Sequence, residues 1–234
     1  MSPPLLLTGL LGGWLAADAT ALAQVLVSQP LVGGALTGLA WGDLPAGLRV
    51  GALLQLFALA GLPLGGRTPH DYASAGVVGV AVAAALGRSV PAPLYATPAL
   101  LGVAAGLAAA LAGQPVIRWV RVRNEGLTRW AEAQVLAGRA GALDAAQWLG
   151  VGHAALVGAG FTLAALALGA TAARWLLAYD GLAVQRAAVV AMPVLWGVGA
   201  GVAARQLLPA ARGALVLFVA VLVFLLALRL AASG

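Results

Sequence analysis

Six polar residues stand in an otherwise apolar setting and are the candidates for chemistry: Asp18, Gln24, Gln55, Arg67, His70 and Asp71. Asp71 closes a Gly/Pro-rich stretch, PLGGRTPHD. An ionisable group at membrane depth is costly unless it has a function, and a carboxylate there can accept hydrogen bonds from two hydroxyls of a ligand. A second reading stands beside it, because Asp ahead of Tyr-Ala-Ser-Ala also caps a helix well. Gln55 offers both donors and acceptors, either to a ligand or to a neighbouring helix, where such a bond is worth ~0.6–2 kcal/mol. Arg67 lies four residues before Asp71, so a charge pair within the loop is one reading; contact with anionic lipid or phosphate is the other. His70 reads as a loop-end residue ahead of a ligand-binding one. Asp18 and Gln24 are polar groups on the first apolar helix, suited equally to lining a site and to packing a bundle.

Several chemistries are excluded. The chain has two His and no Cys, too few ligands for a metal site of ordinary size, and no cofactor motif. All thirteen cations are Arg, so Schiff-base chemistry on Lys is absent. No paired carboxylates and no Ser/His/Asp set at a usable spacing occur, so no catalytic residue is assigned.

The elements that must position these residues follow from composition. Of 234 residues, 62% are hydrophobic and only 9% charged, against about 25% charged in a soluble domain. Apolar runs of about 18 or more residues recur. The fold class is therefore all-α: a polytopic helical membrane protein with broken or re-entrant half-helices. The net charge of +6 fits positive-inside topology better than nucleic-acid binding, because the Arg residues are not interleaved with stacking aromatics. MSPPLLLTGLLGGW lacks a cationic start and reads as part of the first span rather than as a cleaved leader.

Residues 4–28 are expected to form that span, with Thr20, Gln24 and Ser28 on one polar stripe and Asp18 about 120° from Gln24. From Pro30 to Gly42, and again from Leu48 to Leu62, the apolar pieces are only half a membrane thick. Gly34, Gly38 and Gly42 recur every fourth residue, as do Gly47 and Gly51, a spacing that serves close helix–helix contact. Asp43 reads as a turn residue. Further apolar stretches follow at 72–87 and 94–112. The segment 118–147 then carries five Arg against Glu125, Glu132 and Asp144, and positive-inside topology puts it in the cytoplasm. Trp119, Trp130 and Trp148 suit an interface there, and Asn124 and Glu125 read as solvated loop residues or as contacts for a cytoplasmic partner. Spans are expected at 149–172, at 184–204 with an interruption at Pro193 and the following glycines, and at 213–232. The whole of 1–234 reads as one membrane unit without a separable soluble domain.

The order of residues also resembles one family. QPLVGGALTGLAWGDL resembles the RP-L-(V/I)-x-G-x-L-x-G-(L/V)-x-x-GD(L/M) block of the IIC membrane subunit of mannose/fructose/sorbose-type sugar phosphotransferase systems (PTS). GLPLGGRTPHDYASAG is similar to that family's G-x-(P/N)-(I/L)-GG-x-x-PPD block, and GLRVGALLQL joins the two with no gap. Gln55 stands where the family usually has a Glu implicated in recognising sugar hydroxyls; Arg67 and His70 replace a small residue and a Pro. The resemblance implies a sugar-translocating subunit of the bacterial inner membrane, multi-pass, that moves a hexose of the mannose/fructose/sorbose/amino-sugar class. It implies Asp71, Gln55, Gln24, Asp18, Arg67 and His70 as substrate-binding candidates. The implied partners are the hexose, a IID membrane subunit, a cytoplasmic phosphorylated IIB protein that carries the phosphoryl chemistry, and the lipid bilayer, in an oligomeric assembly without nucleic acid. The chain would then not be an enzyme by itself. The departures at Gln55, Arg67 and His70 leave room for a divergent IIC-like protein with a sensory or regulatory role. Half-helices equally suit an unrelated secondary transporter, and a membrane-embedded enzyme is the remaining alternative.

Overall fold

The computed structural model describes residues 3–22, 25–59, 70–87, 96–207 and 219. Their elements are α1 (Pro3–Thr20), α2 (Pro30–Trp41), α3 (Leu44–Leu59), α4 (Tyr72–Gly87), α5 (Ala96–Leu136) and α6 (Ala142–Leu207), with no strand among the described residues. Arg67, Gln24, the loop 60–69 and the expected last span at 213–232 lie outside that set, except for Val219.

The interrupted stretch folds as two antiparallel half-helices. Pro30 opens α2, where its missing N–H and fixed φ fit the first turn, and Gly42 ends it in the left-handed conformation at φ 71°. Asp43 then caps α3 by accepting the Ala46 N–H at 3.0 Å. At 1.5 Å per residue α2 is about 18 Å long and α3 about 24 Å, both shorter than ~30 Å of hydrocarbon. Backbone meets backbone between them: a Cβ placed on Gly34 would lie 2.9 Å from Gly51 Cα, and one on Gly47 would lie 2.7 Å from Gly34 O. Gly42 departs from the expected role in this series. Nothing lies within 4 Å of its Cβ position, so its part is the positive φ of the turn.

α4 is the centre of the molecule. Val77, Val78, Val80, Ala81 and Val82 are fully buried, and the helix is apolar on every side because it has a neighbour on every side. Gly76 faces Pro30 of α2 and Gly79 faces Gly102 of α5 at backbone distance. α1 lies against the first half of α6, where Gly12 meets Thr162 and Gly13 meets the Ala155 carbonyl. Trp41 Nε1 donates to Thr8 Oγ1 at 2.9 Å, tying α2 to α1.

α6 breaks at Asp180 (φ −152°, ψ 75°), whose carboxylate accepts the Ala183 N–H at 2.9 Å and so caps a second helix. Leu177 before the break and Val184 after it pack on the same cluster around Trp41 and Leu86. Farther along, Met192 and Gly199 lie on α3, against Leu53 and Leu56. The chain thus turns back at Asp180.

Four expectations are corrected. The first span ends at Thr20 rather than at residue 28, because Asp18 folds the following connection back; Thr20 and Ser28 share no helical stripe. The segment 118–147 is a helical hairpin, since α5 runs unbroken to Leu136 and α6 starts at Ala142. Asn124 and Glu125 are accordingly helical, not loop residues, and Asn124 Oδ1 lies 2.8 Å from His153 Nδ1. Finally, Pro193 does not interrupt its helix, nor does Pro115 interrupt α5. Each Pro removes one backbone hydrogen bond, a loss that packed transmembrane helices absorb by local adjustment.

Candidate functional site

A cavity of about 200 Å³ opens where the half-helices end. Its wall includes Gln29 ahead of α2, Gln55 near the end of α3, His70, Asp71 and Tyr72 at the start of α4, and Arg121 on α5. That volume holds several waters or one small polar molecule.

Asp71 is held from three directions. Its Oδ1 accepts the Ser74 N–H at 3.0 Å and its carbonyl accepts the Ala75 N–H at 3.1 Å, which makes it the cap of α4. Its own N–H donates to the Ala110 carbonyl of α5 at 2.9 Å. The side chain presses on Gly113, where any Cβ would collide with the carboxylate. Only 6% of the residue is exposed, so this carboxylate sits at the deep end of the cavity. Asp71 thus caps α4 and stands on the cavity wall at once.

Gln55 reaches back across the hairpin. Its Oε1 accepts the Leu31 N–H at 3.3 Å, and its Nε2 donates to Gln29 Oε1 at 2.8 Å. It therefore makes the inter-helix bond and lines the cavity at once. His70 stands edge-on to Tyr72, with ring centroids 6.2 Å apart. Its Nδ1 is buried and has no hydrogen-bond partner among the described residues. A buried unpaired donor or acceptor costs about 1–3 kcal/mol.

Asp18 is not on the cavity wall. It is 1% exposed and spends both oxygens on the connection between α1 and α2, accepting the Val25 N–H at 3.0 Å and the Ser28 N–H at 3.1 Å. That connection includes Leu26 at φ 66°, an uncommon conformation for a bulky residue. Asp18 thus shapes the chain that delivers Gln29. Gln24 and Arg67 lie outside the described residues.

Sequence reasoning passed over Gln29, Tyr72 and Arg121. A signal existed for Gln29, the polar residue directly before a helix-opening Pro. For Arg121 the signal was periodicity, since Gly113, Ile117 and Arg121 share one face of α5 at intervals of four.

Comparison with known proteins adds the following. A sequence model of the family described as "PTS system sorbose-specific iic component" matches residues 4–233. A solved structure described as "Structure of membrane protein" superposes with a TM-score of 0.67 at 16% identity, covering 90% of this chain and 82% of that one. At that identity the likeness is one of fold. No curated protein sequence matches.

Proposed function

The chain belongs to the family of sorbose-specific IIC components of the sugar phosphotransferase system, and on that premise we propose that the cavity at Asp71 is its sugar site. Members of this family are transport components that work with a sugar and with partner proteins of the system. The proposed cargo is a hexose of the mannose/fructose/sorbose/amino-sugar class, carried across the bacterial inner membrane by a multi-pass protein. A IID membrane subunit completes the pathway in an oligomer. A cytoplasmic IIB protein supplies the phosphoryl group, which leaves its histidine nitrogen for a sugar hydroxyl oxygen as the hydroxyl proton departs. In this reading the chain binds and positions and performs no transfer itself. It acts as one membrane unit over residues 1–234.

The observation that carries the reading is the meeting of a buried carboxylate, an amide pair and an imidazole ring on the wall of a cavity of about 200 Å³. Hexoses present several hydroxyls, each both donor and acceptor, and such a set answers them. The ends of interrupted helices are where transporters place polar substrates. Gln55 in place of the family's Glu keeps hydrogen-bonding capacity and removes charge. Gln24 and Arg67 remain candidates from the sequence; Asp18 acts on the site through Gln29.

Equilibrium binding of mannose, fructose, glucosamine, N-acetylgalactosamine and sorbose to the purified protein co-expressed with its IID partner tests this. At least one sugar is expected to bind saturably. Asp71→Asn should weaken it by tenfold or more, because Asn still caps α4 but presents no carboxylate. If none of the five binds, or if the variant binds as tightly as the parent, the assignment is wrong.

A further inference from the structure

The cavity has a second pole that the sugar reading does not use. Arg121 is an exposed side chain on its wall, while Asp71 at the other end is buried. Both are reached from the same face of α5: Gly113 touches Asp71, and Arg121 follows eight residues later, a rise of about 12 Å. No carboxylate among the described residues pairs with Arg121. Glu125, one turn further on, lies against Arg129 instead, at 3.7 Å. Arg118 and Arg123 flank Arg121 in sequence, so this end of α5 is cationic, and beyond it α5 and α6 continue as the polar hairpin. A guanidinium left without a protein anion at the mouth of a polar cavity is suited to an anion with several oxygens. Phosphate is the best match to its donor fork.

From this juxtaposition we infer that Arg121 binds the phosphoryl group of a phosphorylated sugar whose ring lies toward Asp71. The inference rests on the sugar reading above and extends it to the product. The buried carboxylate repels a phosphate and accepts from hydroxyls; the exposed guanidinium does the reverse. A phosphorylated hexose is therefore bound in one orientation only, with its phosphate toward the Arg-rich end. By the positive-inside rule that end is cytoplasmic. Arg121 is on this account a specificity residue: it sets how long the phosphorylated sugar stays relative to the free one.

The test is the ratio of affinities for mannose 6-phosphate and mannose, measured by isothermal titration on the IID-co-expressed protein. Parent, Arg121→Gln and Arg121→Lys are compared in nanodiscs of phosphatidylcholine. Arg121→Gln is expected to lower the preference for the phosphorylated sugar about tenfold, and Arg121→Lys to restore part of it, since Lys keeps the charge without the fork. An unchanged ratio in Arg121→Gln overturns the inference and leaves the sugar site standing. Inorganic phosphate as a third titrant separates the two claims. Arg121-dependent phosphate binding without binding of any of the five sugars keeps the anion pole and sinks the hexose assignment; no binding of phosphate or of any sugar sinks both. Repeating the titrations with phosphatidylglycerol in the nanodisc identifies the source of the phosphate. Loss of the Arg121 effect there assigns the guanidinium to a lipid headgroup and overturns the inference.

Discussion

α4 and the first half of α6 are both apolar helices, yet they hold opposite positions. Thirteen of the sixteen residues of α4 are buried. On α6, Leu156 is 77% exposed, Leu168 73% and Trp175 64%. Hydrophobicity does not separate the two, but side-chain size does. After Tyr72 at its start, α4 is built from Gly, Ala, Ser and Val with a single Leu, Leu86; α6 turns Leu and Trp outward and keeps Ala154, Gly158, Ala170 and Ala173 inward. In a bilayer apolar side chains gain little by leaving lipid, so close packing decides which face turns inward, and small residues permit it. Polar position follows the same division, since the cavity lies at the start of the buried helix.

The sharpest way to break that contrast is to put bulk into the small-residue seam. Gly47→Leu forces a side chain between α3 and the backbone of α2 and should cost at least about 1–3 kcal/mol, the usual penalty of overpacking. Thermal unfolding of the detergent-purified protein, with its size-exclusion profile, reads the effect. An unshifted melting temperature would mean that these helices do not touch.

Asp18→Ala comes next. It orphans two backbone N–H groups beside a buried helix end, at about 1–3 kcal/mol for each that water does not reach. Sugar affinity should fall with stability, because the connection that presents Gln29 loses its shape. Retained stability with lost binding would instead put Asp18 on the ligand. The smallest effect belongs to the outer face. Leu168→Ala should change stability by no more than ~0.5 kcal/mol, as surface substitutions do. A drop as large as that of Gly47→Leu would show that a protein surface, not lipid, covers this face.

The sequence made the hairpin legible because its signals are local. Pro30, Gly42 and Asp43 act within one turn of themselves, and the glycine spacing is periodic. Asp71 was readable for the same reason. Asp18 was not, since its partners lie seven and ten residues away across an irregular connection. The Gln29–Gln55 bond spans twenty-six residues and exists only once the hairpin has closed. Pro193 misled in a different way. Proline halts helices in water, whereas in a packed membrane bundle the remaining hydrogen bonds have no solvent to compete with them.

The glycine seam of α2 and α3 has a mechanical consequence. Where backbone rests on backbone there are no rotamers to yield, so the hairpin is stiff along its length. It is fastened at one end by the Gly42–Asp43 turn and at the other by the Gln29–Gln55 bond. A ligand that takes over the hydrogen bonds of Gln55 undoes only the second fastening. The backbone of Pro30 stays against Gly51 and Gly76, so the hairpin keeps its form at both ends.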